Sequence, residues 1–169
     1  MSEIVNRVTQ SPIVSIDLEE IYPKEERVIF DLKPFLFQEF VLREKEFRSA
    51  LKEVEWKDYS DKWVSIICSA DAIVPNWAFM LVATYLTPIS KGYVIGDLTE
   101  LEVLISELVL GKIDLVSLTD RPVVIKGCSN FPIPLFAYGR LVSLIQDRAK
   151  SIMYGEPCST VPLFKKSKA

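Results

Sequence analysis

Four short runs decide the fold: Trp63-Val-Ser-Ile-Ile-Cys68, Tyr93-Val-Ile95, Pro122-Val-Val-Ile-Lys126 and Ser151-Ile-Met-Tyr154. Each is apolar and rich in β-branched residues, and none alternates with polar positions along its whole length. Strands of that kind are buried on both faces, which is the habit of parallel sheets. The three stretches between them carry helical spacing, over about 74–86, 98–112 and 132–148. In the second of these, Leu101, Leu104, Ile105 and Leu108 fall on one face, and Thr99-x-x-Glu102 has the form of a capping box at its start. The first is apolar nearly all round, so a central, buried helix is expected, with Trp77, Phe79 and Met80 packed in the core. Strands alternating with helices predict an α/β fold: three layers around a mostly parallel sheet of four or more strands.

Upstream the pattern is mixed. Ser2–Gln10 reads as a short helix, and Ile13–Leu18 and Arg27–Leu32 as strands joined by the acidic segment 19–26. Lys33-Pro34 breaks the second strand, FLFQEFVL continues as strand or loop, and 43–56 has helical spacing through Phe47, Ala50, Leu51 and Val54. No linker is long enough to part the chain. The expectation is one domain, 1–169, with residues 1–60 an N-terminal α+β extension on a parallel core of 61–164.

Composition excludes more than it proposes. The chain has 169 residues and a formal charge of −3, too nearly balanced for nucleic-acid binding driven by bulk charge. Histidine is absent, which removes serine and cysteine triads built on it, the H-E-x-x-H zinc helix and histidine-ligated haem. No stretch reaches the roughly 18 apolar residues of a membrane span, and MSEIVNRVTQ has no signal-peptide pattern. A cytoplasmic protein with reduced thiols is expected, with neither nucleic acid nor membrane as partner.

The three cysteines are patterned. Each is followed by serine and comes just after an expected strand: Cys68-Ser-Ala-Asp-Ala-Ile-Val-Pro75, Cys128-Ser-Asn-Phe-Pro132 and Cys158-Ser-Thr-Val-Pro162. Right-handed crossovers bring the C-terminal ends of parallel strands to one edge, where ligands bind. The three thiols are therefore expected to converge, with Asp97 at the tip of the fourth strand and Asp71 three residues beyond Cys68. The prolines suit the first turn of a helix, and Ser69 or Asp71, and Ser129 or Asn130, suit caps before it. A thiol ahead of a helix N-terminus ionises more readily. Thiolates gathered at one edge repel one another unless a cation joins them. Three of them with a carboxylate make a coherent shell for zinc, and three with an open iron suit an iron–sulfur cluster. Against this stands the ordinary use of cysteine as a small core residue. Asp71 reads as readily as a cap, and Asp97 as a turn residue. A phosphate-binding Cys-x5-Arg loop is ruled out, because Val74, Pro134 and Phe164 stand where its arginine would. No C-x-x-C pair exists, though a redox site assembled in space stays open. Glu156, two residues before Cys158, is a general acid/base or a turn residue, and Lys126, two before Cys128, either favours that thiolate or faces water. The charges around Glu44 and Glu46, and the basic end Lys165-Lys166-Ser-Lys168, read as solvated surface.

The words CSADAIVP, VVIKGCS and KSIMYGEPCSTVP, with EIVNRV near the start and FDLKPFLFQ, resemble the domain-of-unknown-function 2480 family of Bacteroidetes proteins, from about residue 3 to 166. The resemblance implies a bacterial cytosolic protein marked by its cysteine words and assigns no catalytic residue. The leading expectation is a metal-binding protein with Cys68, Cys128 and Cys158 as ligands, zinc as the ion and Asp71, Asp97 or water as the fourth ligand. The alternatives are a three-cysteine iron–sulfur protein, or a non-catalytic interaction protein whose exposed Phe35, Phe37 and Phe40 form a homodimer contact.

Overall fold

The computed structural model describes residues 12–127, 133–156 and 159–167. The fold is α/β, as expected. In chain order its elements are β1 (Val14–Asp17), α1 (Leu18–Ile21), β2 (Arg27–Asp31), α2 (Glu44–Lys52), β3 (Trp63–Ile67), α3 (Asn76–Leu86), β4 (Gly92–Ile95), α4 (Leu98–Leu110), β5 (Pro122–Lys126), α5 (Leu135–Ile145), β6 (Ser151–Glu156) and β7 (Ser159–Lys165). The helix expected over 2–10 lies outside the described residues.

The strands form two sheets rather than one. A four-stranded sheet has the order β1-β5-β6-β7, parallel except for the antiparallel β6–β7 pair, and a three-stranded parallel sheet has the order β2-β3-β4. The chain accordingly makes two compact units, residues 1–23 with 105–169 and residues 24–104. The expected boundary near residue 60 is not where it divides. β1 and β2, read as parts of an N-terminal extension, are each the edge strand of a sheet. The parallel pattern was right, but apolar runs alone do not say which strands pair. β7 escaped the reading because Pro162 interrupts it and its Val161 and Leu163 are exposed, as on an edge strand.

The two units repeat one another. A shift of 59 residues carries β3 (63–67) onto β5 (122–126), α3 (76–86) onto α5 (135–145) and the start of β4 (92) onto that of β6 (151). The helix-entry prolines Pro75 and Pro134 correspond, as do the fully buried pairs Ala78 and Ala137, Val82 and Leu141, and Leu86 and Ile145. So do the turns. Asp61 and Asp120 both have left-handed backbones (φ 57° and 54°), and their N–H groups donate to Ile89 O and Arg148 O. Lys91 N donates to Lys62 O as Lys150 N does to Arg121 O.

Each unit has its own core. In the three-stranded unit, Phe30, Val64 and Ile66 pack with Phe47 and Leu51 of α2 and Val82 and Leu86 of α3. Phe35 belongs to this core, 5.6 Å from both Phe30 and Phe47, so it is not the free surface aromatic expected. Met80 is 61% exposed, so α3 is one-sided rather than buried all round. In the four-stranded unit, Ile16, Val123, Ile125 and Ile152 pack with Leu141 and Ile145 of α5. Burying each such side chain contributes about 1.5–3 kcal/mol before entropy is counted.

Candidate functional site

The C-terminal edges of parallel strands are where ligands bind in such sheets, and the chain has two of them. At the edge of the three-stranded sheet stand Asp31, Cys68-Ser69 and Gly96-Asp97. Asp31 Oδ1 accepts the backbone N–H of both Lys33 and Ser69 at 2.9 Å, and the Ser69 hydroxyl donates to Oδ2. Burial pushes the Asp31 carboxyl up, but the Ser69 and Lys33 hydrogen bonds outweigh it and hold the group below its ordinary value. Ser69 is thus engaged by β2 and does not cap α3, whose first turn follows Pro75 with no side-chain cap.

Cys68 is a free, half-buried thiol that donates to Ala70 O at 3.8 Å and packs against the core of its unit. Asp71 is exposed and lines an open, mostly apolar hollow with Phe40, Val41, Ile73 and Pro75. Asp97 caps α4. Its Oδ1 accepts the N–H of Thr99 (2.7 Å) and Glu100 (3.0 Å), and Asp97 N donates to Glu100 Oε2 at 2.9 Å. The capping box is therefore Asp97-x-x-Glu100, two residues ahead of the one expected at Thr99 and Glu102. Glu102 instead pairs with Arg27 at 2.8 Å. The amide bonds from Glu100 and Thr99 hold the Asp97 carboxyl below its ordinary value.

At the edge of the four-stranded sheet stand Asp17, Lys126-Gly127 and Glu156, from three adjacent strands. Lys126 Nζ meets Glu156 Oε2 at 2.8 Å, and this hydrogen bond, with the charges of Glu156, Asp17 and Glu20, raises the lysine above its ordinary value. Asp17 Oδ1 accepts Glu19 N at 3.0 Å. Tyr154 Oη donates to Gly127 O at 3.0 Å, and its ring lies edge-on to Tyr138, 6.0 Å away. Tyr138 covers Gly127 so closely that a Cβ there would fall on its phenol. The two tyrosines and Asp17 were missed in the sequence, where nothing marks them until β1, β5 and β6 are known to be neighbours.

Cys128 and Cys158 lie outside the described residues. Cys128 directly follows Gly127, and Cys158 comes two residues after Glu156. β5 and β6 are adjacent and parallel, with Ile125 opposite Tyr154. Cys68 follows β3 of the other sheet, so a single sheet edge does not collect the three cysteine words. Among the described residues no three or more of Cys, His, Asp and Glu are grouped so as to hold a metal ion.

Of the aromatics expected at a dimer contact, Phe37 lies under the Arg43 guanidinium, 3.3 Å from its ring centre, and Phe40 is 69% exposed. Among the described residues no helix is long and apolar enough to cross a membrane.

The fold and its edges define an α/β protein made of two repeated parallel β-α-β units, with cysteine words following strand ends in each. Residues 2–166 match the family described as "Protein of unknown function (DUF2480)", and the chain belongs to that family. No curated protein and no solved structure matches it.

Proposed function

We propose that the protein binds a metal ion, zinc, through Cys128 and Cys158 at the C-terminal edge of the four-stranded sheet, in a reducing cytoplasm. The observation that carries the reading is the parallel pairing of β5 with β6. Neighbouring strands are about 4.8 Å apart, and the two cysteine words follow the ends of two such neighbours. Lys126 and Glu156, each two residues ahead of a cysteine, meet at that edge. Two thiolates there repel each other, and a divalent cation with sulfur bonds of about 2.3 Å relieves the repulsion. In this reading Cys68 is a packing thiol rather than a third ligand, since it is half-buried against the core of the other unit.

Elemental analysis and a visible spectrum of anaerobically purified protein test the proposal. Colourless protein with zinc near one per chain supports it. Replacing Cys128 or Cys158 by serine should remove most of the zinc, because a hydroxyl is a poor substitute for a soft thiolate, whereas Cys68→Ser should retain it. Brown protein with iron and acid-labile sulfide would replace zinc by a cluster. Absence of bound metal, with full zinc-independent stability in the cysteine variants, would refute the reading.

A further inference from the structure

Between β2 and α2 the chain holds a costly shape that its own core does not use. Phe37 N donates to Val41 O at 2.7 Å and Val41 N to Phe37 O at 3.2 Å, closing a tight turn. Its residues Gln38 and Glu39 both have left-handed backbones, with φ of 51° and 62°. Neither is the glycine or asparagine that such positions favour. Strain of this kind gathers at functional surfaces. What the turn displays is apolar: Phe40 is 69% exposed and Val41 55% exposed.

Beside the turn lies the loop that leads from β3 to α3, where Ile73 is 95% exposed. Phe40, Val41, Ala72, Ile73 and Pro75 line an open hollow of about 530 Å³, together with the carboxylate of Asp71. Among the described residues no hydrogen bond or ion pair engages that carboxylate. A lone exposed apolar residue is ordinary. A contiguous group around a hollow, rimmed by charge, marks an interaction surface.

The charges suggest what covers it. The hollow carries an anion, Asp71, whereas the turn carries cations. The Arg43 guanidinium lies 3.3 Å from the Phe37 ring centre, and Lys33 pairs with Glu39 at 3.4 Å. Arg43 also pairs with Glu46 at 3.0 Å. These pairs are exposed, where ion pairs are weak and exchange partners at little cost. One patch thus offers an aromatic knob flanked by cations and an apolar hollow holding an anion. A surface with both halves of a contact is self-complementary, as a two-fold dimer requires.

We propose that this face is an interface between two copies of the chain. Phe40 of each enters the hollow of the other, and Asp71 meets Arg43 across the two-fold axis. Phe35 is a core residue and Phe37 lies under Arg43, so Phe40 and Ile73 are the apolar anchors. The inference is independent of the metal-binding reading.

The test is sedimentation velocity of the full chain under reducing conditions, over concentrations rising to hundreds of micromolar. The expected result is a reversible dimer. Phe40→Asp and Ile73→Asp should each raise its dissociation constant at least about 10-fold. Both side chains are exposed, so the variants should keep the fold, checked by far-ultraviolet circular dichroism. Val116→Asp, at a position 75% exposed in the other unit, should leave dimerisation unchanged. Asp71→Arg should weaken the dimer, and adding Arg43→Glu should recover it; no recovery would overturn the pairing of Asp71 with Arg43. A chain monomeric at every concentration, or a dimer equally strong in the Phe40 and Ile73 variants, would overturn the proposal. A monomer that instead binds a basic, apolar peptide in the hollow would overturn it in favour of a different occupant.

Discussion

Gly127 offers a sharp test of the packing at the four-stranded edge. A Cβ at this position would fall on the Tyr138 phenol oxygen and lie 2.7 Å from Cζ and 2.8 Å from Cε1. Carbon atoms in contact sit at about 3.5–4.0 Å, so Gly127→Ala must push the ring aside. The ring is held by its edge-on contact with Tyr154, whose hydroxyl is bonded to Gly127 O. Overpacking of this kind costs about 1–3 kcal/mol. Set against it, alanine restricts the unfolded chain and returns about 0.4–1 kcal/mol. The steric cost wins, for a net loss of about 1–2 kcal/mol, or roughly 2–8 °C in Tm for a chain of this size. The assay is urea unfolding followed by far-ultraviolet circular dichroism, comparing midpoints at constant slope. The sign should reverse in a Tyr138→Ala background. With the ring gone only the unfolded-state effect remains, and the same alanine should stabilise by a few tenths of a kcal/mol or more. A neutral Gly127→Ala, or an equal loss in both backgrounds, would refute the claim that the ring dictates glycine here.

Phe47 is fully buried and lies edge-on to Phe35 and Trp77, so Phe47→Ala should cost about 3–5 kcal/mol in chemical denaturation. The folded carboxyl of Asp97 lies below its ordinary value of 3.8. Its contribution is therefore complete at neutral pH and drains away as pH falls through the folded value; the midpoint of Asp97→Asn should depend less on pH in the acid range. Ser69→Ala removes the hydroxyl bond that helps hold Asp31 down, and the Asp31 carboxyl should move back up towards its ordinary value of 3.8, read by carboxyl-carbon NMR titration. Cys68→Ala removes a sulfur packed on the three-stranded core, and should lower the unfolding midpoint measurably while zinc content stays constant.

Much of the molecule was written in local patterns. The apolar runs at 93–95 and 151–154, with those at 63–67 and 122–126, fall in strands because β-branched and apolar side chains suit a pleated, partly buried surface, and the helices between them follow the spacing of their buried positions. The cap of α4 was misplaced by two residues because Thr99-x-x-Glu102 and Asp97-x-x-Glu100 both satisfy the same local rule. Only the observed amide bonds to Asp97 decide between them. The 59-residue repeat was also present in the letters. However, few identical residues mark it, since a core position accepts Val82 in one unit and Leu141 in the other.

What the sequence determined alone was the alternation of strands and helices, the absence of histidine chemistry, and three cysteines each placed after a strand. Tertiary structure decided which strands are neighbours. Hydrogen bonding between strands is indifferent to side-chain identity, so nothing local tells β5 to take β6 and β1 rather than β3. That choice puts Asp17, Lys126 and Glu156 on one edge and leaves Cys68 on the other sheet.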